Sequence, residues 1–200
     1  MSIEKIILAS SSPRRIEMLQ KTQMQLAIIP SKVEESLPSV ISMEQAVMFL
    51  ALKKALSVEK ELAFMKNPFI DQTYENTAII AADTIVYKDG IIGKPSSKEE
   101  AFQILKALCN TSHYVVTGTA ILCPNTLKRK VFYEITEVFF KNYTDETIKA
   151  YLTTDEPWDK AGGYAIQGAW GTHVDHILGD YENVIGFPWR HIKKELVEFF

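Results

Sequence analysis

Ile6-Ile7-Leu8-Ala9-Ser10-Ser11-Ser12-Pro13-Arg14-Arg15 is the stretch that decides how this chain is read. Ile6 to Ala9 is an apolar strand that runs straight into three hydroxyls, a proline and two adjacent arginines. Pro13 suits the first turn of a helix, where its missing N–H costs nothing. The free N–H groups of that turn carry partial positive charge. With the hydroxyls and the two guanidiniums they make three kinds of phosphate donor in one turn. The same residues also read as a serine-rich turn with two solvated arginines, so the rest of the chain has to decide.

Working outward, Arg14 to Lys21 reads as a short helix and Leu26 to Ile29 as a second strand. Ser31 to Ser42 is a polar loop. Met43 to about Met65 has the apolar spacing of a long helix. Lys66 to Asn76, with Asn67-Pro68, reads as a surface loop. Thr77 to Tyr87 is a strand, almost continuously apolar, joined by the Asp89-Gly90 turn to Ile91-Ile92. Ser97 and Glu100 form a capping box for a helix whose apolar face is Ala101, Ile104, Leu105 and Leu108. Tyr114 to Cys123 and Val131 to Phe140 are long strands, and Thr144 to Leu152 is a helix. Ala161 to Gly171 is glycine-rich and aperiodic, and Pro188 opens a last helix. Strands and helices mix without strict alternation, which predicts an α/β or mixed α+β sheet flanked by helices. No internal repeat or linker divides the chain.

The 200 residues are 46% hydrophobic, enough for a sizeable core. Lys and Arg number 22 against 25 Asp and Glu, a net charge of −3, which is a poor profile for a general nucleic-acid or membrane binder. Cys109 and Cys123 form neither a disulfide framework nor a zinc signature, so a reducing compartment is expected. No signal peptide and no membrane span of about 20 apolar residues is visible. The expected location is the cytoplasm.

Several residues stand out chemically. Asp83 interrupts an otherwise apolar strand, where a carboxylate is costly unless it is paired, solvated at the strand end or metal-bound. Gly93-Lys94-Pro95 sets a lysine on a rigid turn but is not a P-loop, because the upstream glycine spacing is missing. Glu34-Glu35 lies in a polar loop, where most such pairs are solvated. Lys54 lies in the long apolar helix, where a lysine can snorkel. Asp159-Lys160-Ala161-Gly162-Gly163-Tyr164-Ala165-Ile166-Gln167-Gly168 presents a lysine and a glutamine between glycines. A glutamine amide both donates and accepts, which suits a nucleobase edge, although a plain loop also fits. His173-Val174-Asp175-His176 matches no metal-site spacing and reads rather as a polar surface or dimer contact.

Together these segments resemble the Maf family of nucleoside triphosphate pyrophosphatases. The matching segments are LASSSPRR from Leu8, VEES from Val33, LALKKA from Leu50, AADTIV from Ala81, GKP from Gly93, VVTGTAI from Val115, EPWDKAGGYAIQG from Glu156 and NVIGFP from Asn183. They occur in family order over most of the chain. The resemblance implies a single Maf/ITPase-like domain over residues 1–200, with an elongated mixed sheet, two lobes and a cleft between them, often dimeric. It implies hydrolysis of a nucleoside triphosphate to the monophosphate and pyrophosphate with a divalent cation, Mg²⁺ or Mn²⁺.

Asp83-Thr84 and Gln167-Gly168 look like the dTTP/UTP-cleaving branch. The 7-methyl-GTP branch typically shows Asp-Gln and a glutamate at those places. By the same resemblance Asp83 corresponds to the catalytic aspartate, and Arg14, Thr84 and Gln167 to specificity positions. Ser10, Ser12, Arg14, Arg15, Lys54, Lys94 and Lys160 are then expected on the phosphates, and Glu35 with Asp83 on the metal. Two alternatives stay open: the same reaction on 7-methyl-GTP or another non-standard nucleotide, and a nucleotide-binding regulator of septum formation with little catalysis. Gly186-Phe187-Pro188 replaces the commoner Gly-Leu-Pro, and the insert Ala169 to His173 is individual, with Trp170 expected to bear on nucleotide or dimer contacts.

Overall fold

The computed structural model describes residues 3–64 and 74–199. Thirteen regular elements follow one another: β1 (Lys5–Leu8), α1 (Pro13–Gln20), β2 (Gln25–Ile28), α2 (Met43–Phe64), β3 (Thr77–Tyr87), β4 (Ile91–Ile92), α3 (Lys98–Leu108), β5 (Ser112–Leu122), β6 (Arg129–Phe140), α4 (Asp145–Tyr151), β7 (Val174–Leu178), α5 (Tyr181–Ile185) and α6 (Trp189–Phe199). Two 3₁₀ turns, Ala161–Gly163 and Ala169–His173, fill the glycine-rich region. The expected loop from Lys66 lies outside the described residues up to position 73, as does Met65, the expected helix end.

The sheet runs β2-β1-β3-β5-β6-β7, with β4 on β3. β1 is parallel to both β2 and β3, while the β3–β4 and β6–β7 pairs are antiparallel. The sheet is therefore mixed, as expected. Local signals account for the helix starts. Ser97 Oγ accepts from Glu100 N at 3.1 Å, and the Glu100 carboxylate accepts from Ser96 N at 2.7 Å. Thr144 Oγ1 accepts from Thr147 N at the start of α4.

The chain forms two compact units. The first contains residues up to Asp83, Thr117–Tyr133 and the stretch from Gly186; the second contains Thr84–Val116 and Glu134–Ile185. In the first, successive residues of β3 point to opposite faces. Ala78, Ile80 and Ala82 pack with Leu19, Phe187, Ile192 and Leu196; Ile79 and Ala81 pack with Ala51, Ala55 and Val58 of α2. Burial on both faces explains the continuous apolar reading of β3. In the second, Leu105 and Leu108 of α3 and Ile148 and Tyr151 of α4 pack with Val115, Val138, Phe140 and Trp170. Trp170 is thus a core side chain, not the nucleotide or dimer contact that its place in an individual insert suggested.

Gly118 has a specific packing reason. A Cβ there would lie 2.3 Å from Val47 C and 2.4 Å from Val47 O, so the α2 backbone sits directly on β5.

Candidate active site

In the first unit the strand parity of β3 sets the chemistry. Asp83 continues the series Ile79, Ala81 and so belongs to the side chains facing α2. Lys54 lies three residues after buried Ala51 and four before buried Val58, which places it on the packed stripe of that helix. The two meet: Lys54 Nζ is 2.5 Å from Asp83 Oδ1 and 2.8 Å from Glu35 Oε1. Asp83 is 6% exposed. The cost of a charge in an apolar strand is therefore offset by an ion pair, and Lys54 does not merely snorkel. Its neighbour Lys53 donates to Glu34 O at 2.7 Å, so two consecutive lysines hold the Glu34-Glu35 loop against α2.

The turn after β1 is anchored by Ala9 N, which donates to Ile80 O at 2.8 Å. Arg15 reaches back across it. Its Nη1 donates to Ala82 O at 2.6 Å and to Ser10 Oγ at 3.3 Å, and its Nε donates to Gly186 O at 2.9 Å. Burial pushes its pKa down to about 10, while Asp83 draws it back up; Arg14 lowers it and Glu35 raises it more weakly. It stays charged at neutral pH. Ser10 Oγ also accepts from Ser12 N at 3.2 Å. Ser12 is the N-cap of α1 but makes no side-chain cap bond, and no acidic residue lies in that first turn. Arg14 Nε is buried with no hydrogen-bond partner among the described residues. The turn therefore gathers positive charge that the protein itself leaves partly unanswered.

Glu35 and Asp83 also bear on metal binding. Their oxygens converge on one cationic nitrogen, which shows that the pair can embrace a cation. Carboxylate oxygens are the donors that Mg²⁺ takes, one or two from the protein and the rest from water and phosphate. The donor set fits. Among the described residues no group of three or more His, Cys, Asp or Glu side chains gathers for a metal, so the other ligands would come from substrate and solvent.

In the second unit, two separate sequence motifs come together. Gly162 N donates to Gly93 O at 3.0 Å, and Gly163 lies against Pro95. Gly162 needs its glycine: φ is +73° and a Cβ would meet Val86 Cγ2 at 2.9 Å. Lys94 on that turn is exposed and makes no hydrogen bond or ion pair among the described residues. Lys160 instead bonds within its own loop, to Glu156 O at 2.7 Å and to Asp159. Gln167 is exposed on a turn, with no hydrogen bond among the described residues. Thr84 is half-buried in β3.

Three further residues shape this unit without having drawn attention in the sequence. Glu156 accepts from Ala169 N at 3.2 Å through both carboxylate oxygens, in the space that a Gly168 side chain would fill. Asn183 Nδ2 donates to Val115 O at 3.0 Å and to Thr136 Oγ1 at 2.9 Å, tying α5 to β5 and β6. His113 bonds Tyr164. Each lies in or beside a motif whose spacing was legible, but its partner is distant in sequence. His173 packs on Trp170 and Tyr143, and His176 stacks on Phe139 and pairs with Asp175, so the two histidines of the HVDH segment make separate local contacts. A hollow of about 250 Å³ lined by Tyr87, Lys88, Asp89, Ser112, His113 and Tyr114 contains none of the predicted site residues. Among the described residues no helix is long and apolar enough to cross a membrane.

Similar proteins match nearly the whole chain. It is 41% identical to a dTTP/UTP pyrophosphatase of Geobacillus sp. (strain WCH70) over 97% of both chains. It is 42% identical to one of Caldicellulosiruptor bescii over 93% of this chain and 90% of that one, and 41% identical to one of Bacillus mycoides over 98% and 96%. The fold is similar to a HAM1 protein from Coxiella burnetii, with a TM-score of 0.53 and 16% identity over 99% of this chain and 100% of that one. It is also similar to the Staphylococcus aureus Ham1 protein, with a TM-score of 0.50 and 17% identity over 97% and 98%. At such identities the likeness concerns the fold alone. The family described as Maf-like protein matches residues 5–199, and the chain belongs to that family.

Proposed function

We propose that the chain hydrolyses dTTP and UTP to the monophosphate and pyrophosphate. The observation that carries this reading is the Glu35–Lys54–Asp83 cluster, centred on the buried Asp83, beside Arg15 and the uncapped start of α1. Phosphate binding alone calls for cations. Two carboxylates gathered at the same place call for a metal or a proton acceptor, and so for hydrolysis. The names of the relatives at 41–42% identity supply the pyrimidine substrates.

The substrate carries about four negative charges, so positioning and neutralisation dominate catalysis. In this reading Ser10, Ser12, Arg14 and the α1 N-terminus bind phosphate oxygens. Arg15 contributes charge while its carbonyl bonds fix the turn. Lys54, paired with Glu35 and Asp83 in the free protein, contributes its charge to the phosphates. Lys94 and Lys160 are assigned there by resemblance. A divalent cation, Mg²⁺ or Mn²⁺, held by Glu35 and Asp83 would supply charge neutralisation at the reacting phosphoryl group and the leaving pyrophosphate. Water attacks in line at the α-phosphorus, the bond to the bridging oxygen breaks, and pyrophosphate departs. Asp83 takes the proton of the attacking water, and with Glu35 would offer carboxylate oxygens to the cation. Arg14, Thr84 and Gln167 set nucleotide preference. The same proposal has the chain acting as one domain, as a homodimer, in the cytoplasm.

The test is pyrophosphate release from dTTP, UTP, CTP, 5-methyl-UTP and 7-methyl-GTP with Mg²⁺ or Mn²⁺. The expected result is turnover of dTTP and UTP ahead of CTP and 7-methyl-GTP. Turnover confined to 7-methyl-GTP would overturn the pyrimidine assignment, and binding without turnover would overturn the enzyme.

A further inference from the structure

His113 is an expensive residue for its position. It is 1% exposed on β5, and burial, helped by Lys88, lowers its pKa to about 3, so it is neutral. Its Nδ1 has no hydrogen-bond partner among the described residues. An apolar side chain would fill the place without an orphaned nitrogen. What it does make is one bond: Nε2 lies 2.7 Å from Tyr164 Oη. The two rings and Phe140 form a mutual cluster, with centroids 4.9 Å apart for His113–Phe140, 5.5 Å for His113–Tyr164 and 4.9 Å for Phe140–Tyr164.

Tyr164 is 5% exposed and lies three residues before Gln167. The segment between them has few other ties. Upstream, Gly162 N bonds Gly93 O; downstream, Ala169 N bonds the Glu156 carboxylate; within it, Gly168 N donates to Ala165 O at 3.1 Å. Gly163, at φ +69°, has no Cβ to restrict the backbone just before Tyr164. Ring packing alone lets a phenol slide in its slot. A buried hydroxyl that needs a partner holds it at one depth.

We propose that His113 is a positioning residue for nucleotide specificity, holding Tyr164 by its hydroxyl and thereby fixing where Gln167 is presented. This rests on the reading of Gln167 as the residue that meets the base. His113 itself touches no substrate.

The test compares Tyr164→Phe, His113→Leu, His113→Gln and Gln167→Ala for kcat and KM on UTP and CTP. Tyr164→Phe keeps the ring and removes only the hydroxyl. It and His113→Leu are each expected to lower the UTP-over-CTP preference by roughly tenfold, within the range that misplacing a substrate-contacting group produces. The change should appear in the KM for UTP, with kcat within about twofold. The double variant should lose no more than either single one. His113→Gln, whose amide can still bond the phenol, should restore most of the preference. Amides of residues 165–168 should exchange faster in Tyr164→Phe. Loss of preference in Gln167→Ala with wild-type preference in Tyr164→Phe would overturn the proposal and leave base reading intact. Wild-type preference in Gln167→Ala would overturn base reading and this proposal with it.

Discussion

The charged cluster of the first unit and the glycine-rich segment of the second are built by opposite means. Around Asp83, long side chains are locked by charge: Lys54 bridges two carboxylates, and Arg15 spends three bonds on Ala82, Gly186 and Ser10. Around Gln167, the backbone is pinned on either side of the segment and the chemical side chain is left loose. Gly162 and Gly163 take positive φ, Glu156 caps the following turn, and Gln167 is exposed. The contrast teaches what each region can do. A prearranged set of charges suits a polyanion, because its field is in place before the substrate arrives. A held loop with one adaptable amide suits the reading of a base edge.

The sharpest way to break this contrast is Asp83→Asn. It preserves volume and removes the charge that answers Lys54. Pyrophosphate release should fall by roughly 10² or more, the scale of lost general-base or metal-ligand function. Near-normal turnover would remove Asp83 from the chemistry.

Gly118→Ala comes next. The added methyl meets the backbone of α2, the helix that carries Lys54, and a backbone cannot swing aside. A loss of about 1–3 kcal/mol is expected in urea unfolding. Gly168→Ala should cost less, because its new methyl meets only the flexible end of Glu156. Equal losses would show that the two regions are locked alike.

The second unit should also lose stability in acid. The folded pKa of His113 is about 3, below its ordinary 6.5, so the unfolded chain binds the extra proton between those values. Its contribution is complete above about pH 6.5 and declines by about 1.4 kcal/mol per pH unit below it. His173, lowered by burial and then by Lys141, acts in the same sense. Urea midpoints from pH 6.5 to 5 should fall less steeply in His113→Gln than in the parent. Parallel curves would show that His113 is not buried neutral.

The smallest effect on overall rate is expected from Gln167→Glu. The new carboxylate cannot donate to a carbonyl of the base, so relative turnover of UTP and CTP should shift by roughly tenfold with folding unchanged. An unchanged ratio would remove Gln167 from base reading.

Much of this molecule was legible before any coordinates. The strand at Thr77–Tyr87, the helix from Met43 and the Ser97 cap are short-range patterns, and they stand where spacing put them. The final strand β7 and the short helix α5 were not legible. β7 is an edge strand of five residues, with exposed Asp175 and His176 where a core-facing pattern would be, so it offered no clean alternation. Glu156 and Gly168 stood in plain view in a recognisable motif, yet nothing in the motif said that the carboxylate occupies the space above the glycine.

By itself the sequence determined the elements up to α4 and the last helix, the apolar faces and the family, because periodicity, capping and motif order are properties of neighbours along the chain. The tertiary structure alone decided what the polar side chains are for. Lys54 holds two carboxylates, Arg15 holds carbonyls, Lys160 turns to its own loop, and Trp170 is core. Of the Lys54, Arg15 and Lys160 contacts only those of Lys160 lie within four residues. Arg15 reaches 82 and 186 and Lys54 reaches 35 and 83, and around buried Asp83 water is removed as the alternative partner.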